Sequence, residues 1–301
     1  MIFLNIGEPD FTAPPLVQEA AARAVRAGAT QYTQAIGLDA LRERISGWYA
    51  ERFGLWIAPR RIVVTAGASA ALQLACLALP DRDDEALLPD PSYPCNRHFV
   101  AAVRARGGFT LVDEIYLGLS FDERFGHSAL GHDASGHGDD VISINSFSKY
   151  FSMTGWRLGW LVVPEALVAP VERLAQNLYI CPSTVAQHAA LACFEPESIA
   201  EYERRRHEFR ARRDYLVPAL NALGLSVPVM PDGAFYAWAD CSAHNPSSWD
   251  FAFDMMSRAH VAITPGRDFG RATAERFVRL SYASAMPQLV EAVGRLRRVL
   301  G

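Results

Sequence analysis

Val141-Ile142-Ser143-Ile144-Asn145-Ser146-Phe147-Ser148-Lys149, followed eight residues later by Arg157-Leu158-Gly159, decides how the rest of the chain is read. The first five residues are short, β-branched and apolar, which predicts a buried strand. Lys149 then lies just past the strand's C-terminal end, where open α/β sheets place their ligands. Ser146 and Ser148 offer hydroxyls, and Arg157 offers a charge-assisted fork, so the cluster predicts an anion site beside an amine. A lysine sheltered from water there loses its proton and attacks a carbonyl. A serine-rich loop with a solvated lysine is the alternative for Ser146–Lys149 alone. The Arg-x-Gly at this distance favours the anion site. Pyridoxal phosphate carries both a phosphate and an aldehyde and meets both requirements.

Working outward, short apolar strands alternate with amphipathic helices over most of the 301 residues, the pattern of a mostly parallel sheet between helical layers. Strands are expected at Arg61–Thr65, Ala86–Leu88, Phe109–Asp113, Val141–Asn145 and Leu158–Val163. Helices are expected at Leu16–Ala27, Leu38–Phe53, Ala70–Leu79, Arg97–Arg106, Ala166–Leu178, Thr184–Cys193 and Ile199–Leu223. Beyond these, short strands near Val227–Met230, Phe235–Ala239, Val261–Ile263 and Phe277–Ser281 alternate with helices at Ser248–His260 and Pro287–Leu300, which predicts a small α+β domain. The expected architecture is α/β, with a three-layer large domain over 1–210, including an N-terminal arm within 1–30, and a C-terminal domain over 211–301.

Composition excludes several classes. Half of the residues are hydrophobic and 21% charged, with a net charge of −4, so neither nucleic acid nor an anionic membrane is expected as a partner. The arginines between Arg204 and Arg213 interleave with acids, predicting a solvated, ion-paired helical face. Ile62 to Pro80 carries no charge, but its Thr65–Ser69 core breaks the run into a strand and a helix. Five scattered cysteines without a C-x-x-C pair point to a reducing, cytoplasmic setting, and the first residues do not resemble a signal peptide. His127, His132 and His137 near Asp133, Asp139 and Asp140 are the right ligand types for a metal. Their glycine- and serine-containing loop lacks a rigid frame, so no metal is expected.

Asp113-Glu114-Ile115-Tyr116 ends the strand before the lysine. A carboxylate at a buried strand end calls for a cationic partner, which a protonated pyridine nitrogen would supply. Tyr116 is then placed to hydrogen-bond the ring's phenolic oxygen. A capped turn with both acids in water is the alternative. Gly67-Ala68-Ser69 joins a strand to a helix, where free backbone N–H groups suit a phosphate. Strand alternation puts Phe277, Arg279 and Ser281 on one face, and from the strand alone an exposed edge position is the reading for Arg279.

The stretch SFSKYFSMTGWRLGW resembles the lysine motif of fold-type I (class I/II) pyridoxal-phosphate-dependent aminotransferases, and the resemblance runs from Asn5-Ile6-Gly7 to the last helix. It implies an aspartate-aminotransferase-like fold and exchange of an amino group between an L-amino acid and a 2-oxo acid. Lys149 would carry the cofactor covalently and, once freed, act as general base and acid. Asp113 would hold the ring nitrogen and Tyr116 the phenolic oxygen. Gly67, Ala68, Ser69, Ser146, Ser148 and Arg157 would hold the phosphate. Tyr93 would stack on the ring, Arg279 would grip the substrate α-carboxylate, and the Gly7 backbone would lie against it. Tyr32 would reach the phosphate of a neighbouring subunit, which implies a homodimer. A lyase or decarboxylase of the same fold, or an inactive cofactor-binding remnant, would share the lysine site.

One element of the family pattern is missing. An Asn-Pro-x-Gly turn should precede the Asp-x-x-Tyr motif, yet the only Asn-Pro is Asn245-Pro246. Cys95–Val100 resembles the start of one family helix and Ala101–Gly108 the end of a later one. An internal deletion of more than a βαβ unit is therefore expected near Val100/Ala101, with weakened cofactor binding, and a shortened N-terminal arm before Asn5.

Overall fold

The computed structural model describes residues 1–79, 108–132 and 140–301. The strand expected at Ala86–Leu88, the helix expected at Arg97–Arg106, Tyr93, the Val100/Ala101 junction, and Asp133, His137 and Asp139 lie outside the described residues. In chain order the elements open with β1 (Ile2–Phe3), α1 (Pro15–Arg26), α2 (Asp39–Phe53), β2 (Ile62–Thr65) and α3 (Ala68–Ala78). β3 (Thr110–Asp113), β4 (Val141–Ser146), β5 (Gly159–Val162), α4 (Glu165–Leu178), α5 (Thr184–Leu191) and α6 (Pro196–Ala222) follow. The chain ends with β6 (Tyr236–Asp240), α7 (Ser248–Asp254), β7 (Val261–Ala262), β8 (Thr264–Pro265), β9 (Phe277–Ser281) and α8 (Met286–Leu300).

Two compact units are present, one of Met1–Asp10 with Arg205–Gly301 and the other within 11–204. In the latter, the described strands form a sheet in the order β2-β5-β4-β3. β3 and β4 are parallel, whereas β5 runs antiparallel to both of its neighbours. The reversal follows from the connection: residues 147–158 turn directly from β4 into β5 without the helical crossover that parallel neighbours need. β2, β4 and β5 are buried along their whole length, so they read as unbroken apolar runs rather than as alternating ones. Val63, Ile142, Ile144 and Leu161 pack with Ala71 and Leu74 of α3 and with Val171 and Ala175 of α4.

Beneath the turn from β4 to β5 lies an aromatic cluster. Phe147 and Phe151 contact Trp160 and Phe194, and Trp48, Tyr49 and Tyr202 extend the group. Phe147, Trp160, Tyr49 and Tyr202 are fully buried. Rings of this size each remove some 150–250 Å² from water, so the loop carrying Lys149 rests on a packed floor.

In the other unit β6, β9 and β8 form an antiparallel sheet with β9 in the centre. β1 pairs in parallel with β7, which places the first residues with the C-terminal elements instead of with an arm of the large domain. The strand expected at Val227–Met230 does not form; only Ser226 makes an isolated bridge, to Asp240. Ser248–His260 is not one continuous α-helix, because α7 passes into a π-turn at Met255–Ala259. The arginine run of α6 is ion-paired but not uniformly solvated, since Arg205, Arg212 and Arg213 are buried. Arg212 is satisfied there by Asp10 at 2.7 Å and Glu208 at 3.1 Å, as a buried cation requires. Among the described residues no helix is long and apolar enough to cross a membrane.

Candidate active site

The sheet brings Asp113 and Ser146 to the C-terminal ends of adjacent parallel strands. Ser146 also lies opposite Gly159 of β5. The Ser146 hydroxyl accepts a hydrogen bond from the Ser148 backbone N–H at 3.0 Å and donates to the Leu158 carbonyl at 3.4 Å. That pair of bonds curls the chain so that Lys149 follows two buried serines. The Lys149 Nζ stands 5.7 Å from the centroid of the Tyr116 ring.

Asp113 is open to solvent at the end of β3, yet the protein around it is dense enough that desolvation raises its carboxyl above the usual range. The Ile115 N–H, which donates to it at 3.2 Å, and the charge of Lys149 act in the opposite direction. A carboxyl raised by its surroundings and partly relieved by a cation is primed to take a further cationic partner.

The Arg-x-Gly motif has a steric explanation. A Cβ on Gly159 would lie 2.8 Å from the Asn145 carbonyl oxygen and 2.9 Å from both the Ala68 nitrogen and the Gly67 carbonyl carbon. Only glycine lets β5 come this close to the turn that starts α3. A Cβ on Gly67 would in turn sit 2.7 Å from Nη2 of Arg157, and Gly67 has φ +89°, which L-residues avoid. Arg157 itself adopts a left-handed backbone with φ 51° and donates from Nη1 to the Thr154 carbonyl at 2.8 Å. The two glycines thus bring an exposed guanidinium against the uncapped N-terminus of α3, whose first N–H groups have no intrahelical acceptors. Gly67, Ala68 and Arg157 therefore meet beside Gly159, opposite Ser146 and next to Ser148, while Lys149 on the same loop lies near Tyr116 and Asp113; Ser69 is one residue further along α3. The donor set fits a phosphate beside an amine.

Tyr32 is 78% exposed. The segment carrying it is pinned to α5: Thr184 Oγ1 donates to the Gln31 carbonyl at 2.7 Å, and Gln187 Nε2 donates to Thr33 Oγ1 at 3.0 Å. The ring is therefore presented outward from a fixed backbone.

In the unit containing 205–301, Arg279 occupies the central strand of its sheet, which removes the edge-residue alternative. Its Nη2 donates to the Asn5 carbonyl at 3.1 Å. Its guanidinium carbon lies 4.1 Å from the Tyr236 ring centroid and 4.5 Å from that of Phe269. Gly7 is near this group through Tyr236.

Two elements went unread in the sequence. Glu114 is buried and receives hydrogen bonds from Ser143 Oγ at 2.6 Å, Ser128 Oγ at 2.9 Å and the Ala129 N–H at 2.6 Å. Arg52 donates to Glu203 at 2.8 Å and to the Gly118 carbonyl at 3.0 Å, and Tyr150 donates to the same Glu203 oxygen at 2.7 Å. Neither had a local signal, because every partner is remote in sequence. Among the described residues no group of three or more His, Cys, Asp or Glu forms a metal-binding cluster.

The family model for aminotransferase class I and II matches residues 1–98 and 95–296. A valine–pyruvate aminotransferase of Mycobacterium tuberculosis is 30% identical over 353 positions, covering 98% of this chain and 90% of the relative. An aspartate/prephenate aminotransferase of Thermus thermophilus is 31% identical over 361 positions, covering 100% and 91%. Among solved structures, an aromatic aminotransferase from Pyrococcus horikoshii superposes with a TM-score of 0.93 at 29% identity, covering 99% of this chain and 95% of the other. The 353 aligned positions exceed the 301 residues of this chain, so at least 52 of them face a gap here. The family match itself breaks at 95–98, beside the junction expected at Val100/Ala101. These likenesses do not favour the lyase, decarboxylase or remnant readings. The chain is an aminotransferase with an internal deletion and belongs to the aminotransferase class I and II family.

Proposed function

We propose that this aminotransferase works with pyridoxal 5'-phosphate bound at Lys149 and moves an amino group between an L-amino acid and a 2-oxo acid, as a cytoplasmic homodimer. The observation that carries the reading is that Lys149 lies beside Asp113 and Tyr116, on the loop that also brings Arg157 against the uncapped start of α3. When bound, the cofactor supplies an aldehyde that takes up the amino group and a ring that stabilises negative charge at the substrate α-carbon. The rest belongs to the chain. Asp113 would accept a hydrogen bond from the protonated ring nitrogen, its negative charge favouring that form. Tyr116 donates to the phenolic oxygen. Ser146, Ser148, Arg157 and the N–H groups of Gly67-Ala68-Ser69 hold the phosphate as a dianion. Lys149 Nζ, once free, removes the proton from the substrate α-carbon and returns one as the acid. Arg279 holds the substrate α-carboxylate. Tyr32, held outward by a segment pinned to α5, serves the site of a second copy, and Tyr93 is the ring-stacking residue.

The test is reduction with borohydride in the presence of pyridoxal phosphate, followed by peptide mapping. A label on Lys149 is expected, and a label elsewhere or none sinks the assignment. Single-turnover products then identify the chemistry: pyridoxamine phosphate for transamination, pyruvate and ammonia for elimination.

A further inference from the structure

We propose that Tyr236 is a positioning residue that sets Arg279 and the backbone at Gly7 relative to each other, and so builds the α-carboxylate pocket. The inference rests on the reading of Arg279 as the carboxylate ligand. Tyr236 lies on β6, two residues before Trp238, and Trp238 is the cross-strand neighbour of Arg279. Alternation puts both rings on the Arg279 face. The Tyr236 ring takes the guanidinium at 4.1 Å, and Phe269 takes it at 4.5 Å, both within cation–π range. Trp238 supports Phe269 edge-on at 5.4 Å. Ring faces restrain the plane of the guanidinium without using its in-plane N–H groups. One of these goes to the Asn5 carbonyl, and the buried Nε finds no acceptor among the described residues. A planar fork held this way presents donors in the arrangement a carboxylate needs.

The other end of the same ring reaches the N-terminal strand. A Cβ on Gly7 would overlap the Tyr236 hydroxyl and lie 3.4 Å from the ring carbon that bears it. Gly7 therefore has no side chain because the tyrosine oxygen already fills that space. The usual explanation for a glycine beside a ligand is close approach of the ligand itself; here the protein's own hydroxyl is sufficient. One residue thus touches both groups assigned to the carboxylate, its ring on Arg279 and its oxygen on Gly7.

The experiment titrates the cofactor-loaded protein with pyruvate by calorimetry, since a 2-oxo acid carries the carboxylate but no amino group to transfer. Acetone serves as the neutral control. Gly7→Ala is expected to weaken pyruvate at least ten-fold, and Tyr236→Phe, which keeps the ring, by less than about three-fold. The double variant should recover to within about three-fold of Tyr236→Phe, because removing the oxygen leaves the new methyl at ordinary contact distance. Tyr236→Leu, which removes the ring face, should weaken pyruvate about ten-fold while leaving the labelling of Lys149 by borohydride unchanged. A double variant as weak as Gly7→Ala, or Tyr236→Leu equal to Tyr236→Phe, overturns the proposal. The second comparison decides alone if Gly7→Ala does not fold. Failure of the underlying reading looks different: Arg279→Ala would then bind pyruvate as well as the unaltered protein, or the unaltered protein would bind acetone as well as pyruvate.

Discussion

The Arg52 guanidinium lies 4.8 Å from the centroid of the Tyr150 ring, on the residue that follows Lys149. The stack is closed by Glu203, which accepts from Arg52 at 2.8 Å and from the Tyr150 hydroxyl at 2.7 Å. Arg52 also donates to the Gly118 carbonyl, two residues beyond Tyr116. A single cation on α2 therefore ties the lysine loop to the turn after Asp113. Arg52 and Glu203 are about a quarter exposed, so their attraction is screened to some degree and does not have the strength of a fully buried pair. Arg52→Met should cost about 1–2 kcal/mol of stability. Combined with Glu203→Gln in a double-mutant cycle, denaturant melts should show coupling of about 1 kcal/mol. Strictly additive losses would mean that the two groups do not act as one clamp.

At Gly67 the turn before α3 has no room for a side chain beside Arg157, and its φ of +89° is strained for any other residue. Gly67→Ala should push the guanidinium out of the anion site and weaken pyridoxal phosphate at least ten-fold. Arg157→Lys keeps the charge but loses the fork, with an expected loss of about 1.5–3 kcal/mol, the range for a charge-assisted hydrogen bond. Absorbance titration with the cofactor reads both. If Arg157→Lys binds as tightly as the unaltered protein, the arginine does not hold the phosphate.

The lysine loop was legible because its chemistry is local: Ser146, Ser148, Lys149 and Arg157 lie within twelve residues, and strand β4 announces itself by composition. The same holds for Asp113 and Tyr116. Tyr236 was not legible, although it flanks Arg279, because the pairing of β6 with β9 is a long-range register that no window reveals. The expected strand at Val227–Met230 failed for the converse reason. Its apolar residues fit a strand, but Val229 and Met230 are exposed, and Pro228 and Pro231 remove ladder donors on either side. The arginines of α6 were misjudged because alternating charge describes a solvated face only where no acid from elsewhere, such as Asp10, reaches the buried side.

Glu114 is fully enclosed, and its carboxyl is raised above the ordinary value of 4.5, first by desolvation and then, to a smaller degree, by the nearby Asp113; the hydrogen bonds from Ser143, Ala129 and Ser128 oppose the rise. A raised carboxyl means that the folded state holds the proton more tightly than the unfolded state. The resulting stabilisation is complete below about 4.5 and is lost as the pH climbs through the raised folded value. Glu114→Gln removes this titration. The variant should therefore gain stability relative to the unaltered protein as the pH rises from about 4.5 toward 8, measured by thermal melts across that range. Parallel pH profiles for the two proteins would show that Glu114 is not the group responsible.

The internal deletion separates this chain from its relatives. The valine–pyruvate aminotransferase carries at least 52 aligned positions with no counterpart here, and the family pattern puts in the missing stretch the Asn-Pro-x-Gly turn whose asparagine bonds the cofactor's phenolic oxygen. Without that donor, Tyr116 is the assigned partner for the oxygen, and the loss of one charge-assisted hydrogen bond is worth about 1.5–3 kcal/mol. Ligand-linked stabilisation follows RT ln(1 + [L]/Kd), so each ten-fold loss in affinity removes about 1.4 kcal/mol of it at saturating cofactor. Pyridoxal phosphate should therefore raise the melting temperature of this chain less than it raises that of a full-length relative at the same concentration. Grafting the relative's segment between Val100 and Ala101 should restore the difference. A graft that carries Ala in place of the turn asparagine, yet restores it fully, would show that the segment acts by completing the sheet rather than by holding the cofactor. Equal stabilisation of the ungrafted chain and the relative would mean that the chain binds its cofactor without the missing turn.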